Sequence, residues 1–376
     1  MIVLSNLISP GKMIGIIGGG EIARMLALSA KKMGYRIGVL DPEKGCPAAQ
    51  VADWQIIASF DNQKALMDFA MKCDVVTYEC DTIDANSIIR MKKTVSVPQG
   101  ADLLSITQDR LLEKAYLEAS NINLAPYATI VTVEDIKGAI DGIGFPCVLK
   151  TINERHNEKD RFVLQSEEDI PKAIYLLKMG TCVMEAWIPF ERELSVMVAR
   201  NHANEVVVFP VSENIHRNSI LQESIVPARV NQYVEEEIER IARAVAEKFE
   251  LIGVLGIELF ITSSGTLYVN EVIPRPHHSG NYSIEACSMS QYDAHIRAIC
   301  GWPLPEIELI TPAVTVTILS EHEAAAKVQI QLKPDWNFYY YGKENPEKGQ
   351  KIGHITVATK DIEKTLSTIS DTGIYE

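Results

Sequence analysis

GIELFITSSGTLYVNEVIPRPHHSG, residues 256–280, is the stretch on which the reading of this chain turns. Two apolar, alternating runs, Gly256 to Ile261 and Thr266 to Glu271, flank Thr262-Ser-Ser-Gly265, which predicts a β-hairpin with a four-residue loop. With Ile261 paired to Thr266, Glu258 faces Val269, and Glu271 becomes its diagonal neighbour on the same face, about 7–8 Å away between backbones. Two carboxylates so placed converge on one cation, and Mg²⁺ prefers a few carboxylates plus phosphate oxygens to an all-protein cage. Asn270 lies beside them on the other face. Paired glutamates also occur on exposed sheet faces, but Ile257, Leu259, Val269 and Val272 give this hairpin apolar flanks and point to burial.

Directly after the hairpin, Pro274 and Pro276 stiffen a loop that carries Arg275, His277, His278 and Ser279. Rigid donors next to a metal suit a developing phosphate-like anion. The same loop also reads as a rigid turn with solvated histidines. Upstream, Ile238, Ile241, Ala242, Val245, Ala246 and Phe249 recur at three- and four-residue steps, so Val234 to Phe249 is a helix covering a sheet. Strand pairs such as Cys147 to Lys150, Val183 to Ala186 and Glu193 to Arg200 give the middle of the chain an α+β character. Beyond Thr311, Val314, Val316 and Ile318 alternate with Thr315, Thr317 and Leu319 over too short a length to stand alone, so a small third unit must pack back on the rest.

The first hundred residues read differently. Met13 to Ile17 is a strand, Gly18-Gly19-Gly20 a turn, and Glu21 to Met33 a helix that Gly34 stops. Strands at Ile37 to Leu40, Val75 to Thr77 and Val95 to Val97 alternate with helices near 62–72 and 84–92, the pattern of a parallel α/β sheet. Gly18, Gly20 and Ala23 match the dinucleotide fingerprint, and Asp41 follows about 20 residues on, so a nicotinamide-dependent oxidoreductase is one reading. The loop equally suits another phosphate, or a tight turn alone.

Composition narrows the field. A chain of 376 residues, 47% hydrophobic, can bury a large core and favours two or three domains. Its 36 basic against 50 acidic residues give a formal charge of −14, which disfavours nucleic acid as a partner. Seven scattered cysteines without a C-x-x-C pair suggest neither disulfides nor zinc. The apolar start lacks a basic n-region and is broken by Pro10 and Gly11, and no stretch is long enough to span a membrane, so a cytoplasmic protein is expected.

At IELF…LYVNEVIPRPHHSGNYSIEACSMSQYDAHIRAICGWPLP the sequence resembles the 5-(carboxyamino)imidazole ribonucleotide synthases of purine biosynthesis, which are ATP-grasp ligases. The likeness extends over nearly the whole chain through GIIGGGEIARM, LDPEKGCPAAQVAD, VTYECD, SITQDRLLEKAYL, FPCVLKT, EAWIPFERELSVMVAR, FPVSENIHRNSIL, SIVPAR and YGKENPEKGQKIGHI. It implies a Rossmann-like pre-ATP-grasp domain over 1–108, a central ATP-grasp domain over 109–310 and a small C-terminal domain over 311–376.

It also implies an ATP-dependent carbon–nitrogen ligase that carboxylates 5-aminoimidazole ribonucleotide with bicarbonate through carboxyphosphate, as a homodimer with ATP and Mg²⁺. By motif, Arg110 and Lys150 would meet the nucleotide phosphates, where fixed cations offset a triphosphate. Glu185-Ala186-Trp187-Ile188 would be the adenine hinge, Glu193 would hold the ribose, and His216 and Asn270 would complete the nucleotide site. Glu258 and Glu271 would hold Mg²⁺. Arg275 and Lys159 are the implied catalytic cations. Gly20, Glu21, Glu79, His156, Asn157, Lys343 and Lys351 would surround the ribonucleotide.

The chain departs from the family in places. A glycine-rich GYDGKGQ loop is replaced over Arg155 to Arg161, where only Lys159 survives and the expected tyrosine and aspartate are His156 and Asn157. Side chains in place of glycines restrict backbone amides from wrapping phosphates. The usual glutamine is Glu21, its later glycine is Ala23, the second acid of E-x-E is Asp81, and PHNSGH reads PHHSGN. An active synthase with an altered loop, a paralogue acting on another amine or acid, and a weakly active relative are all compatible with these changes.

Overall fold

The computed structural model describes residues 7–153 and 160–375, and they divide into two compact units. The first comprises 1–101, 194–257 and 273–376; the second comprises 102–193 and 258–272.

The first unit opens with four parallel strands, β1 (Met13–Ile17), β2 (Arg36–Asp41), β3 (Trp54–Ile57) and β4 (Val75–Tyr78), in the order β3-β2-β1-β4. Every residue of β1 is buried, as a strand covered on both faces requires. The register sets Ile14 between Ile37 and Val75. β3 was not read from sequence, and residues 95–97 form no strand: Ser96 makes only an isolated bridge to Val75. The helix Glu21–Lys32 starts on an acid and ends on Lys31 and Lys32, as its dipole favours, and buries Ile22, Met25 and Leu26. Ile14 and Leu26 share one core with Tyr292, Ile296 and Ile299 of the helix Gln291–Ile299.

In the second unit β5 (Tyr127–Ile130), β6 (Cys147–Thr151), β7 (Arg161–Leu164) and β8 (Cys182–Ala186) form an antiparallel sheet ordered β5-β8-β6-β7. The helix Val133–Ile143 enters through a capping box of Thr132 and Asp135 and lays Ile136 on that sheet. Asp109 caps the helix Arg110–Glu118, accepting from the Leu111 and Leu112 N–H groups at 2.8 and 3.1 Å.

β9 (Phe190–Arg200), β10 (Val206–Val208), β11 (Ser212–Arg217), β12 (Ile220–Val226), β13 (Gly253–Thr262), β14 (Leu267–Ile273), β15 (Ala313–Leu319), β16 (Asn337–Tyr340) and β17 (Lys351–Ala358) follow. Within the first unit these run β13-β9-β11-β12-β15-β17-β16, with β10 beside β9. The C-terminal strands therefore pack back, as expected: β15 pairs β12, Val314 lying across from Ile225. One apolar cluster joins Ile225 to Val316, Ile318, Trp336 and Ile355. All seven cysteines are unpaired. Among the described residues no helix is long and apolar enough to cross a membrane.

Candidate active site

The nucleotide candidates of the second unit centre on a buried carboxylate. β6 and β8 pair Val148 with Glu185, so Lys150, two residues along, rises from the same face as Glu185. Lys150 Nζ donates to Glu185 Oε2 at 2.9 Å, and Lys114 Nζ lies 3.1 Å from Oε1. Burial alone would push the Glu185 carboxyl up, but the charges and hydrogen bonds of Lys150 and Lys114 hold it down to about 2. Lys114 was not picked out from the sequence. Its signal was its place four residues after Arg110, on the same helix face. Arg110 donates from Nε to the Thr151 carbonyl at 3.1 Å, so it reaches the end of the Lys150 strand.

The hinge follows directly. The Ala186 and Trp187 N–H groups donate to the Pro126 and Pro146 carbonyls at 2.8 and 3.1 Å. Ile188 N–H donates to no group among the described residues. Glu193 is half-buried beyond it, and Phe190 stacks on Phe260 with centroids 4.6 Å apart.

The hairpin differs from the expected one. Thr262 N–H donates to the Thr266 carbonyl at 3.0 Å and Gly265 N–H to the Thr262 carbonyl at 2.9 Å, which makes a three-residue loop with Thr262 across from Thr266. Gly265 has φ +82°, the left-handed residue that closes such a turn without a Cβ penalty. Carried along the strands, this register gives Asn270, rather than Glu271, the place beside Glu258. The alternation then breaks, because Asn270 and Glu271 are both half-buried between buried Val269 and Val272. Glu258 is half-buried as well. The buried Glu113 anchors this end by accepting from the Val272 N–H at 2.7 Å.

The described ribonucleotide candidates belong to the first unit. Gly18 takes φ +94°, and the turn it starts aims the next two N–H groups at carboxylates: Gly19 donates to Asp41 Oδ2 at 2.7 Å and Gly20 to Glu79 Oε1 at 2.9 Å. The donors of a dinucleotide fingerprint, and its acid, are thus spent within the fold. Burial pushes Glu79 up to about 7, with the Arg275 charge opposing and the Glu21 charge adding. Arg275 is half-buried, and its Nε is a buried donor without a hydrogen-bond partner among the described residues.

Two departures from the family meet here. Glu21 Oε1 lies 3.3 Å from His278 Nε2, and Glu21 Oε2 lies 3.1 Å from Lys343 Nζ. Against burial, the His278 bond and the Lys343 charge hold the Glu21 carboxyl well below its usual range. Burial and the Lys351 charge bring His278 down to about 4, so at neutral pH it is an uncharged donor. Glu21 and His278, two of the departures read from the sequence, therefore contact each other, with Lys343 supplying a countercharge to Glu21. Gly20, Glu21, Glu79, Arg275 and Lys343 come together, with Lys351 in electrostatic reach. His216 also lies in the first unit, on β11 where its register with β12 slips. His156, Asn157 and Lys159 lie outside the described residues.

Comparison with known proteins agrees with this layout. A ribonucleotide synthetase preATP-grasp domain matches residues 11–108, an ATP-grasp domain matches 115–292, and a phosphoribosylaminoimidazole carboxylase C-terminal domain matches 313–368. The N5-carboxyaminoimidazole ribonucleotide synthase of Bacillus subtilis is 40% identical over 97% of this chain and 96% of its own. The crystal structure of an ADP complex of an N5-carboxyaminoimidazole ribonucleotide synthetase superposes with TM-score 0.96 at 43% identity, covering 99% of this chain and 98% of the other. The Aspergillus clavatus N5-carboxyaminoimidazole synthase in complex with ADP and 5-aminoimidazole ribonucleotide does so with TM-score 0.90 at 29% identity, covering 96% and 97%. The chain belongs to the N5-carboxyaminoimidazole ribonucleotide synthase family of ATP-grasp ligases.

Proposed function

We propose that this chain catalyses the ATP- and bicarbonate-dependent carboxylation of 5-aminoimidazole ribonucleotide to 5-(carboxyamino)imidazole ribonucleotide, a step of purine biosynthesis. The observation that carries this reading is the span of the match: 97% of the chain aligns with a synthase at 40% identity, so both sets of candidate residues fall within it. In the reaction a bicarbonate oxygen attacks the γ-phosphorus of ATP and ADP leaves. The exocyclic amine then attacks the carboxyl carbon of carboxyphosphate, inorganic phosphate leaves, and the amine loses a proton. The protein's part is positioning, charge neutralisation and exclusion of water.

In this reading Lys150 and Arg110 meet the phosphates, the Ile188 N–H and its hinge neighbours meet adenine, and Glu193, His216 and Asn270 complete the nucleotide contacts. Arg275, whose Nε has no hydrogen-bond partner among the described residues, receives the carboxyphosphate anion. Glu79, Glu21, the Gly20 turn, Lys343 and Lys351 hold the ribonucleotide. Glu258 and Glu271 are the assigned metal ligands, and the described residues hold no cluster of three or more acids, histidines or cysteines. Two carboxylates with Asn270 fit Mg²⁺, a hard cation that completes its shell from phosphate oxygens and water. When bound, the ion neutralises phosphate charge.

We further assign the domains to 1–108, 109–310 and 311–376, the protein to the cytoplasm, and the assembly to a homodimer, on family precedent and chain size. Light scattering tests the assembly. The function is tested by incorporation of labelled bicarbonate into an acid-labile product in the presence of ATP and 5-aminoimidazole ribonucleotide. ADP release without labelled product would instead favour a paralogue acting on another amine.

A further inference from the structure

A buried polar chain in the first unit plays no part in the chemistry above, yet it ends on the two peptide groups that carry Glu79 and Arg275. The Val254 N–H meets His295 Nδ1 at 3.1 Å, His295 Nε2 meets Thr77 Oγ1 at 2.8 Å, and Thr77 Oγ1 donates to Gln99 Oε1. Gln99 Nε2 then donates to the Tyr78 carbonyl at 3.3 Å and to the Pro274 carbonyl at 3.2 Å, while Gln99 Oε1 also accepts from the Tyr78 N–H at 3.1 Å. His295 and Thr77 are fully buried and Gln99 is 6% exposed.

Its direction is forced. A backbone N–H only donates, so His295 Nδ1 carries a lone pair and Nε2 carries the proton. Nε2–H must donate to Thr77, which frees the threonine proton for Gln99 Oε1 and turns the amide NH₂ toward the two carbonyls. Burial supports this neutral tautomer by bringing the His295 pKa down to about 3. Each member is satisfied by one arrangement, and a buried network of that kind fixes its ends more tightly than separate bonds do. Gly253 belongs to it: at φ +124°, an added Cβ would lie 3.0 Å from the His295 ring.

We propose that His295, Thr77 and Gln99 are positioning residues, which set the Tyr78–Glu79 and Pro274–Arg275 peptides so that the Glu79 carboxylate and the Arg275 guanidinium present one fixed geometry to the ribonucleotide and the carboxyl donor. This rests on the assignment of Glu79 and Arg275 made above. Both peptides hang from one side-chain amide, so reversing or removing that amide displaces the two groups together. Displacements of about 1 Å cost on the order of 100-fold in rate when they reach reacting groups.

Thr77→Val keeps the volume and removes the hydroxyl relay, Thr77→Ser keeps the relay, and Gln99→Met removes the amide. Thr77→Val and Gln99→Met are expected to lower kcat/KM for 5-aminoimidazole ribonucleotide about tenfold or more, and to raise ADP released per carboxylated product. KM for ATP in the ribonucleotide-independent ADP release should stay within twofold, and Thr77→Ser should recover most of the loss. A lowered Tm with an unchanged ribonucleotide kcat/KM, or the same loss in the ATP-only reaction, overturns the proposal. His295→Gln, which preserves a donor and an acceptor, covers the case in which Thr77→Val fails to fold; its unchanged ribonucleotide kinetics, or insolubility of all these variants except Thr77→Ser, overturns it as well. Glu79→Gln and Arg275→Met are the controls: if they leave ribonucleotide kinetics intact, the site assignment fails, whereas if only they lose activity, the positioning role fails.

Discussion

At the scale of single residues, one buried and one half-buried carboxylate with opposite perturbations govern the outcome. Glu185 is held by two lysines, so one of them can turn to a phosphate without leaving the carboxylate unpaired. Lys114→Met should therefore tighten Lys150 onto Glu185, raise the KM for ATP about tenfold, and cost about 1–3 kcal/mol of stability as a buried charge loses a partner. Lys114→Arg should restore most of both, and a KM unchanged by Lys114→Met would remove Lys114 from the site. Glu185 is depressed below 4.5, so its contribution is present above that pH and lost as pH falls toward 2. Glu79 is the reverse case. Its carboxyl is raised from 4.5 to about 7, so the folded state holds a proton that the unfolded state has released, and stability falls as pH rises through that window. Glu79→Gln should raise Tm at pH 8 by roughly 2 °C or more, with the gain shrinking toward pH 5, while ribonucleotide binding is lost. A gain independent of pH would mean that the carboxyl is not strained by its charge. Lys150, Glu185 and Glu79 were legible as motif residues. Lys114, Gln99 and His295 were not, because their roles depend on partners 22 to 218 positions away, on strands whose pairing no local pattern announces.

Among elements, the sheets, the helix Gln232–Lys248 and the glycine turn were readable because apolar periodicity reports one covered face or two. β3 was missed since Trp54-Gln-Ile-Ile57 is only half-buried and short, and residues 95–97 were over-read since an apolar run next to a sheet need not pair with it. The hairpin register slipped by one because the turn closes on Thr262 and Thr266 through Gly265 in the left-handed region, which alternation alone does not reveal. In the glycine turn, the anion-facing N–H groups of Gly19 and Gly20 already hold Asp41 and Glu79, whose charge repels a pyrophosphate. ATP with Mg²⁺ should therefore raise Tm, by an amount equivalent to about 2.7 kcal/mol at 100 times Kd, and NADH should not. A shift with NADH alone would return the turn to dinucleotide binding. On β14, Glu271→Gln removes one negative charge and almost no volume. It should abolish ATP turnover and leave the melting transition in place, and near-normal turnover would make the carboxylate pair structural.

Across the whole molecule, the two sets of candidates fall in different units, and this separation has a kinetic consequence. Among the described residues, those assigned to ATP belong to the second unit apart from His216, and those assigned to the ribonucleotide belong to the first, as does Arg275. ATP can then be bound and cleaved with the ribonucleotide contacts impaired, but the carboxyl group reaches the amine only if the first unit holds both the ribonucleotide and the acyl phosphate. Arg275→Met removes the guanidinium whose Nε has no hydrogen-bond partner among the described residues, and its loss leaves the nucleotide candidates of the second unit in place. The variant should keep its KM for ATP and most of its basal ADP release, while carboxylated product falls about 100-fold, on the order of the loss seen when one preorganised donor to an anion is removed. The measurement is paired: ADP by a coupled assay, and labelled bicarbonate fixed into product, on the same samples. A rise in ADP released per product is the expected sign that an acyl phosphate forms and is hydrolysed. An equal fall in both would place Arg275 with the nucleotide residues, since only a group that acts before ADP leaves lowers the two together.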